Sequence, residues 1–149
     1  MEDIYQPSLI SVTEDRTRSY VVSHLFFVAF IGGIIAMVAL GIHNAKSLKL
    51  EKKYIRTLTI LSLFLIIGKL VIVYAIGQGI LAIDEKYIKL LGRIFGVAGF
   101  FIFYAILNKP YKDHLAVSGE TKSLWKPGFL ACFISGFIDL ITIKFLLAL

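Results

Sequence analysis

Long uncharged apolar runs alternate along this chain with short clusters of charged residues. The first run, from about 20 to 42, carries no formal charge and only His24 near its start. An α-helix rises 1.5 Å per residue, so a run of this length reaches about 34 Å and can cross a bilayer with some tilt. Similar runs follow at about 58–83, 90–107 and 128–149. The pattern therefore predicts four membrane-spanning helices.

The fold class that this pattern predicts is an all-α membrane protein, a bundle of four transmembrane helices. A polar tail, residues 1–19, precedes a single transmembrane domain, residues 20–149. The third span is the shortest, because its uncharged part runs only from Ile94 to Leu107. An extension back to Leu90, which includes Arg93, makes it just long enough. The connection at about 84–89 is very short, so the second and third spans are expected to be antiparallel neighbours.

Composition supports this prediction. Of the 149 residues, 58% are apolar and 17% are charged, whereas soluble domains are nearer 45–50% apolar. The excess apolar surface is expected to face lipid. The first 19 residues lack the basic and apolar regions of a cleavable signal peptide, so the first span is expected to act as its own insertion signal.

The distribution of basic residues predicts an orientation, because cytoplasmic loops carry an excess of Lys and Arg. The tail and the short loop together contribute Arg16, Arg18, Lys86 and Lys89. The two longer connections contribute more: Lys46, Lys49, Lys52, Lys53, Arg56, Lys109, Lys112, Lys122 and Lys126. We therefore expect a multi-pass protein of the inner (plasma) membrane with both longer connections in the cytoplasm. Four crossings would place both termini outside.

Two opposite charges lie near the middle of their spans, Lys69 in the second and Asp139 in the fourth. A lone charge at the bilayer centre costs roughly 2.5–3.5 kcal/mol on insertion scales. Two opposite charges at matching depth offset much of that cost if they meet, so we predict that Lys69 contacts Asp139. Arg93 is the rival partner at a shallower depth, and Lys144 is expected to reach the membrane interface.

Small residues recur at helical spacing in three spans and predict close helix packing, either within the chain or in a homodimer. These helix-packing residues are Gly32, Ala36, Gly92, Gly96, Gly128, Cys132 and Gly136.

No pattern of residues predicts a catalytic site, a metal site or a bound cofactor. The single cysteine excludes thiol-pair chemistry, and the short loops offer no folded surface for nucleic acid. A haem or metal site built from His43 and His114 is conceivable, but their spacing supports nothing specific.

Three segments carry a family resemblance: Tyr5-Gln6-Pro7, Gly32-Gly33-Ile34-Ile35-Ala36, and His114-Leu115 followed by Gly119 and Ser123-Leu124-Trp125-Lys126. Together they resemble an uncharacterised family of small bacterial four-helix inner-membrane proteins. That family typically has Pro where this chain has Ile34, and a second Gly where it has Ser118. The resemblance implies a bacterial inner-membrane location and no particular activity.

Polar and aromatic residues near the ends of the first and fourth spans form a candidate face for binding a partner or lipids. Asn44 can cap a helix end, and Trp125 stands where tryptophans anchor at the interface. The whole set is His43, Asn44, Lys46, Lys112, His114, Trp125 and Lys126.

The sequence thus favours a non-enzymatic protein that acts by binding membrane lipids or another membrane protein, which could be a second copy of itself. Its role would be that of an accessory subunit, an immunity factor or a scaffold. A small proton-linked transporter that uses Lys69 and Asp139 is the first alternative. A membrane enzyme or haem protein is the second.

Overall fold

The computed structural model describes residues 18–117 and 119–148, which form four long helices and two short strands. Each helix is long and apolar enough to cross a membrane, in agreement with the predicted all-α bundle. The helices are α1 (Leu25–Ser47), α2 (Lys52–Gly77), α3 (Ile88–Ala116) and α4 (Trp125–Ala148), and the strands are β1 (Arg18–Tyr20) and β2 (Glu120–Lys122). The polar tail up to residue 17 lies outside the described residues, and residues 18–20 form β1 rather than tail.

All four helices extend beyond the spans predicted from hydropathy. α1 ends at Ser47 and α4 begins at Trp125, and the extensions of α2 and α3 are longer. α2 begins at Lys52, and α3 continues through Pro110 to Ala116. An apolar run stops at the first charged residues, whereas a helix continues past the hydrocarbon into the interface. α2 also ends earlier than predicted, because Gly79 has a φ of 67° shortly after Gly77, and glycine in this conformation commonly ends a helix.

The chain reverses its direction within α1. Gly33 has φ 69° and ψ −162°, which interrupts the helix and divides it into a first limb, residues 25–32, and a second limb, residues 34–47. The end of α1 returns to the segment that precedes it: the Tyr20 amide donates to Asn44 Oδ1 at 2.7 Å, and Asn44 Nδ2 donates to the Tyr20 carbonyl at 3.1 Å. In a straight helix, residues 24 positions apart would be about 36 Å apart. The prediction of one straight helix over 20–42 is therefore wrong.

The contacts of α1 with α3 show the same reversal. Along the first limb the two helices run in opposite directions, since Arg93 lies over the ring of Phe30 and Phe100 packs against Phe26. Along the second limb they run in the same direction, since Gly99 faces Ile34 and Phe103 faces Gly41. The two limbs form a helical hairpin whose tip is Gly33.

Two short parallel strands close the open end of this hairpin. β1 pairs with β2 in the register Arg18↔Glu120 and Tyr20↔Lys122, and Arg18 Nε lies 2.8 Å from Glu120 Oε2. β1 leads into α1, and β2 leads into α4. The chain therefore enters the bundle twice at the same end.

The hairpin forms the centre of the bundle. In the most apolar window of α1, 56% of the residues are buried, against 6% in α4. The main core cluster includes Leu25, Met37 and Phe103 and lies between the hairpin, α3 and the open end of the bundle. A smaller cluster of Val73, Ile76 and Ile88 lies beyond the tip, where α2, α3 and α4 close the opposite end.

Candidate functional site

An ion pair joins α2 to α4, as the sequence predicted. Lys69 Nζ lies 2.7 Å from Asp139 Oδ1, and 4% of the lysine side chain and 22% of the aspartate side chain are exposed. Lys69 precedes the end of α2 by eight residues, which corresponds to about 12 Å along the helix axis. The pair is therefore well inside the apolar part of the bundle.

The tip of the hairpin lies beside this ion pair. A Cβ atom built on Gly33 would be 3.5 Å from Asp139 Oδ2 and 3.6 Å from the Gly92 carbonyl oxygen. A Cβ atom on Gly92 would be 3.8 Å from Lys69 Nζ. Two glycines thus allow the backbones of α1 and α3 to approach both charged groups.

A single hydroxyl group spans the break in α1. Ser135 Oγ donates to the Gly32 carbonyl at 2.6 Å and accepts from the Ala36 amide at 3.2 Å. These two groups lie at the end of the first limb and the start of the second, where a helix leaves backbone groups without partners. Ser135 is 1% exposed, so no solvent replaces it there.

One face of α4 supplies the polar groups for the tip. Cys132, Ser135 and Asp139 are three and four residues apart, which places them on the same side of a helix. Cys132 Sγ lies 3.9 Å from the Val28 carbonyl of the first limb. The second limb begins close to the Asp139 carboxylate, and a carboxylate near a helix N-terminus is stabilised by about 0.3–1 kcal/mol.

Most of the predicted helix-packing residues do lie at close contacts. A Cβ atom on Gly32 would lie 2.7 Å from both Cys132 Sγ and Ala36 Cβ, and one on Gly96 would overlap the Ala29 carbonyl oxygen. Gly128 faces Val28. Gly136 is the exception, because it is exposed and no atom beyond its chain neighbours and its own helix backbone lies within 4 Å of its built Cβ position. Its predicted packing role is wrong within this chain, since the Ser135 and Asp139 side of α4 faces the hairpin instead.

The other cations of the spans do not contact Asp139. The Arg93 guanidinium lies over the Phe30 ring at 5.3 Å, so the rival pairing with Asp139 does not form. Lys144 is exposed near the end of α4.

The residues of the predicted binding face lie at the open end of the hairpin. His43, Lys46, Lys112, Trp125 and Lys126 are exposed there, and His114 is partly buried. Asn44 departs from the prediction. It is 0% exposed and holds β1 through two hydrogen bonds instead of capping a helix end.

Sequence reasoning did not assign a role to Gly33, and it placed Ser135 only on a small and polar stripe of the fourth span that packs on protein. The signal for Gly33 was the Gly32-Gly33 pair in the middle of an apolar run, where glycine disfavours a helix. The signal for Ser135 was its position between Cys132 and Asp139 on the small and polar side of α4. Residues 18–117 and 119–148 contain no group of three His, Cys, Asp or Glu side chains that could hold a metal ion.

Comparisons of the chain with known protein families, with curated proteins and with solved structures found no match. The resemblance to small bacterial four-helix membrane proteins therefore stays a prediction.

Proposed function

We propose that this chain is a small proton-linked membrane transport protein with Lys69 and Asp139 as its central site. The observation that carries the proposal is the contact between the Lys69–Asp139 pair and the break in α1. Ionisable residues inside the membrane are costly, and they commonly mark pathways for ions or protons. The inner membrane of a bacterium, which the family resemblance implies, is part of this proposal.

The broken helix favours a transport role for the Lys69–Asp139 pair over a purely structural role. Many transporters bind their substrate or coupling ion where a discontinuous helix ends near the bilayer midplane. Non-helical backbone at that depth occurs where protein or a cavity satisfies its polar groups. Here Gly33, Ser135 and Asp139 gather within one layer of the bundle. An ion pair that only fixed helix register would not need a helix break beside it.

Asp139 is the proton carrier in this mechanism, and Lys69 is its counter-charge. A proton that binds the Asp139 carboxylate removes its negative charge and leaves the Lys69 ammonium without that partner. Arg93 of α3 and Lys144 of α4, the other charged residues of the spans, lie nearer the helix ends, and both are cations. Neutral Asp139 therefore leaves a net positive site, which favours a rearrangement of the hairpin tip against α4.

Proton flux across a reconstituted bilayer tests the proposal. The full chain is placed in liposomes that contain a pH-sensitive dye, and flux is measured with and without a membrane potential. We expect flux above that of protein-free liposomes, and we expect Asp139→Asn to abolish it. Asp84→Asn, in the exposed loop after α2, is the matched control and should retain the flux. Equal flux from protein-free liposomes, or full flux from Asp139→Asn, would contradict the proposal.

The accessory role in membrane-protein or lipid binding stays a second candidate. The exposed residues at the open end of the hairpin favour it, among them Trp125, which is 80% exposed. Purification of the tagged chain in mild detergent should then recover a stoichiometric partner. Recovery should fall for a Trp125→Ala variant and persist for Asp139→Asn, which separates this role from transport.

A further inference from the structure

The reversal in α1 gathers exposed basic residues at one end of the bundle, which we call the basic face. It comprises β1, the end of α1 and the start of α2 with the turn between them, and the segment from the last two turns of α3 to the start of α4. Ten exposed basic residues lie on it: Arg18, Lys46, Lys49, Lys52, Lys53, Arg56, Lys109, Lys112, Lys122 and Lys126. The opposite end and its adjoining turns have four, Lys86, Lys89, Arg93 and Lys144.

This grouping removes a conflict in the charge pattern. If α1 crossed the membrane once, β1 would lie on the side opposite to the two basic connections. The pairing of β1 with β2 and the hydrogen bonds between Asn44 and Tyr20 place all three segments at one end. Arg18 then joins the other basic residues instead of opposing them. A positive excess of this kind marks the cytoplasmic side of a membrane protein.

We infer that the basic face lies on the cytoplasmic side, against the anionic lipid headgroups of that leaflet, and that α1 enters and leaves the membrane there. The part of the chain that the structure describes then crosses the bilayer three times, through α2, α3 and α4. The strand β1 is cytoplasmic and the end of α4 is on the opposite side. This inference is independent of the transport proposal, since it requires no titration of Asp139.

The charge of the basic face fits an anionic lipid surface. Glu51, Asp113 and Glu120 are its acidic residues, and Glu120 is already paired with Arg18. The basic residues therefore outnumber the acidic ones about threefold, and positive side chains next to the membrane attract anionic lipids. Trp125 lies beside Lys126 and is exposed at the same level, where tryptophan commonly meets headgroups.

Cysteine labelling in whole bacterial cells tests the placement. In a Cys132→Ser background, single cysteines replace Arg18, Lys49 or Gln78, and a membrane-impermeant maleimide is added. We expect Gln78→Cys to react in intact cells, and Arg18→Cys and Lys49→Cys to react only after permeabilisation. Reaction of Arg18→Cys in intact cells would overturn the re-entrant placement, and reaction of Lys49→Cys would overturn the orientation.

A crosslink tests the strand pair in the membrane itself. Arg18→Cys combined with Glu120→Cys should be joined by a short bismaleimide, because the two residues face each other in register. Arg18→Cys combined with Gln78→Cys is the matched control and should not be joined. If the first pair fails to crosslink while both single cysteines react after permeabilisation, the shared face does not exist.

The single tryptophan tests the lipid contact. Trp125 fluorescence is measured in bilayers that contain brominated phosphatidylglycerol or brominated phosphatidylcholine at the same mole fraction. We expect the anionic lipid to quench about twofold more strongly at low salt, and the difference to shrink at high salt. A Lys122→Gln, Lys126→Gln double variant should reduce the preference. Equal quenching by both lipids would overturn the headgroup contact.

Discussion

Substituting alanine for Gly33 distinguishes a folded-back α1 from a straight one by the sign of the stability change. In the interior of a continuous helix, Gly→Ala stabilises by about 1 kcal/mol. At φ 69° and ψ −162°, the backbone is in a region that essentially only glycine adopts. A side chain there costs about 1–3 kcal/mol.

The surroundings of Gly33 make the backbone the dominant cause. The nearest atoms to an added Cβ would be Asp139 Oδ2 at 3.5 Å and the Gly92 carbonyl oxygen at 3.6 Å, which are ordinary van der Waals distances. Steric overlap therefore adds little. We expect Gly33→Ala to destabilise the protein by about 1–3 kcal/mol.

Reversible unfolding in mixed micelles of dodecylmaltoside and SDS, followed by circular dichroism, measures this change. Gly136→Ala is the matched control, because Gly136 is an exposed helical glycine with no atom beyond its chain neighbours and its own helix backbone within 4 Å of its built Cβ. It should be stabilised by up to about 1 kcal/mol. If Gly33→Ala were as stable as the control, the reversal at Gly33 would be refuted.

Three further predictions concern the polar groups of the bundle. Asp139→Leu alone should cost about 3–5 kcal/mol of stability, and Lys69→Met somewhat less, because Asp139→Leu leaves the more buried charge, Lys69, unpaired. The double variant should recover most of the thermal stability in detergent. Additive losses in the double variant would exclude a coupled pair. Ser135→Ala should lose about 1–3 kcal/mol for each of the two backbone groups that it leaves unpaired, whereas Ser123→Ala in the exposed loop should unfold at the wild-type SDS concentration. Asn44→Leu should lower the free energy of opening of the β1 amides, measured by hydrogen exchange, at least as much as it lowers the global free energy of unfolding. Unchanged exchange of these amides would show that the Asn44 side chain does not hold the strand.

The apolar runs and the charge pair were predictable from sequence because each depends on local composition. Long uncharged stretches indicate helices in lipid whatever the direction in which the chain runs. A lone Lys69 at mid-span requires a partner at its own depth. Asp139 was the one acidic residue at that depth, so their contact followed from the cost of burying either charge alone.

The direction of the chain within α1 was not predictable in this way. An apolar run of 23 residues has the same hydropathy whether it crosses the membrane once or folds into two shorter limbs. Hydropathy therefore does not reveal a reversal. The decisive contacts, Asn44 with Tyr20 and β1 with β2, join residues that are far apart in sequence. The Gly32-Gly33 pair was the local signal, but small residues in a membrane helix also indicate packing. The contacts of Asn44 with Tyr20, of both limbs with α3 and of β1 with β2 separate the two explanations.

The break in α1 and the Lys69–Asp139 pair each lower the energetic cost of burying the other. A hairpin tip inside hydrocarbon exposes amides and carbonyls whose burial without partners costs several kcal/mol. Ser135 satisfies two of these groups, and the Asp139 carboxylate lies beside the start of the second limb. The same polar layer lowers the cost of keeping Lys69 almost fully buried. Removing either feature leaves the other without compensation, so Gly33→Ala and Asp139→Leu should be strongly non-additive in a double variant. Additive losses would show that the break and the charge pair are energetically separate.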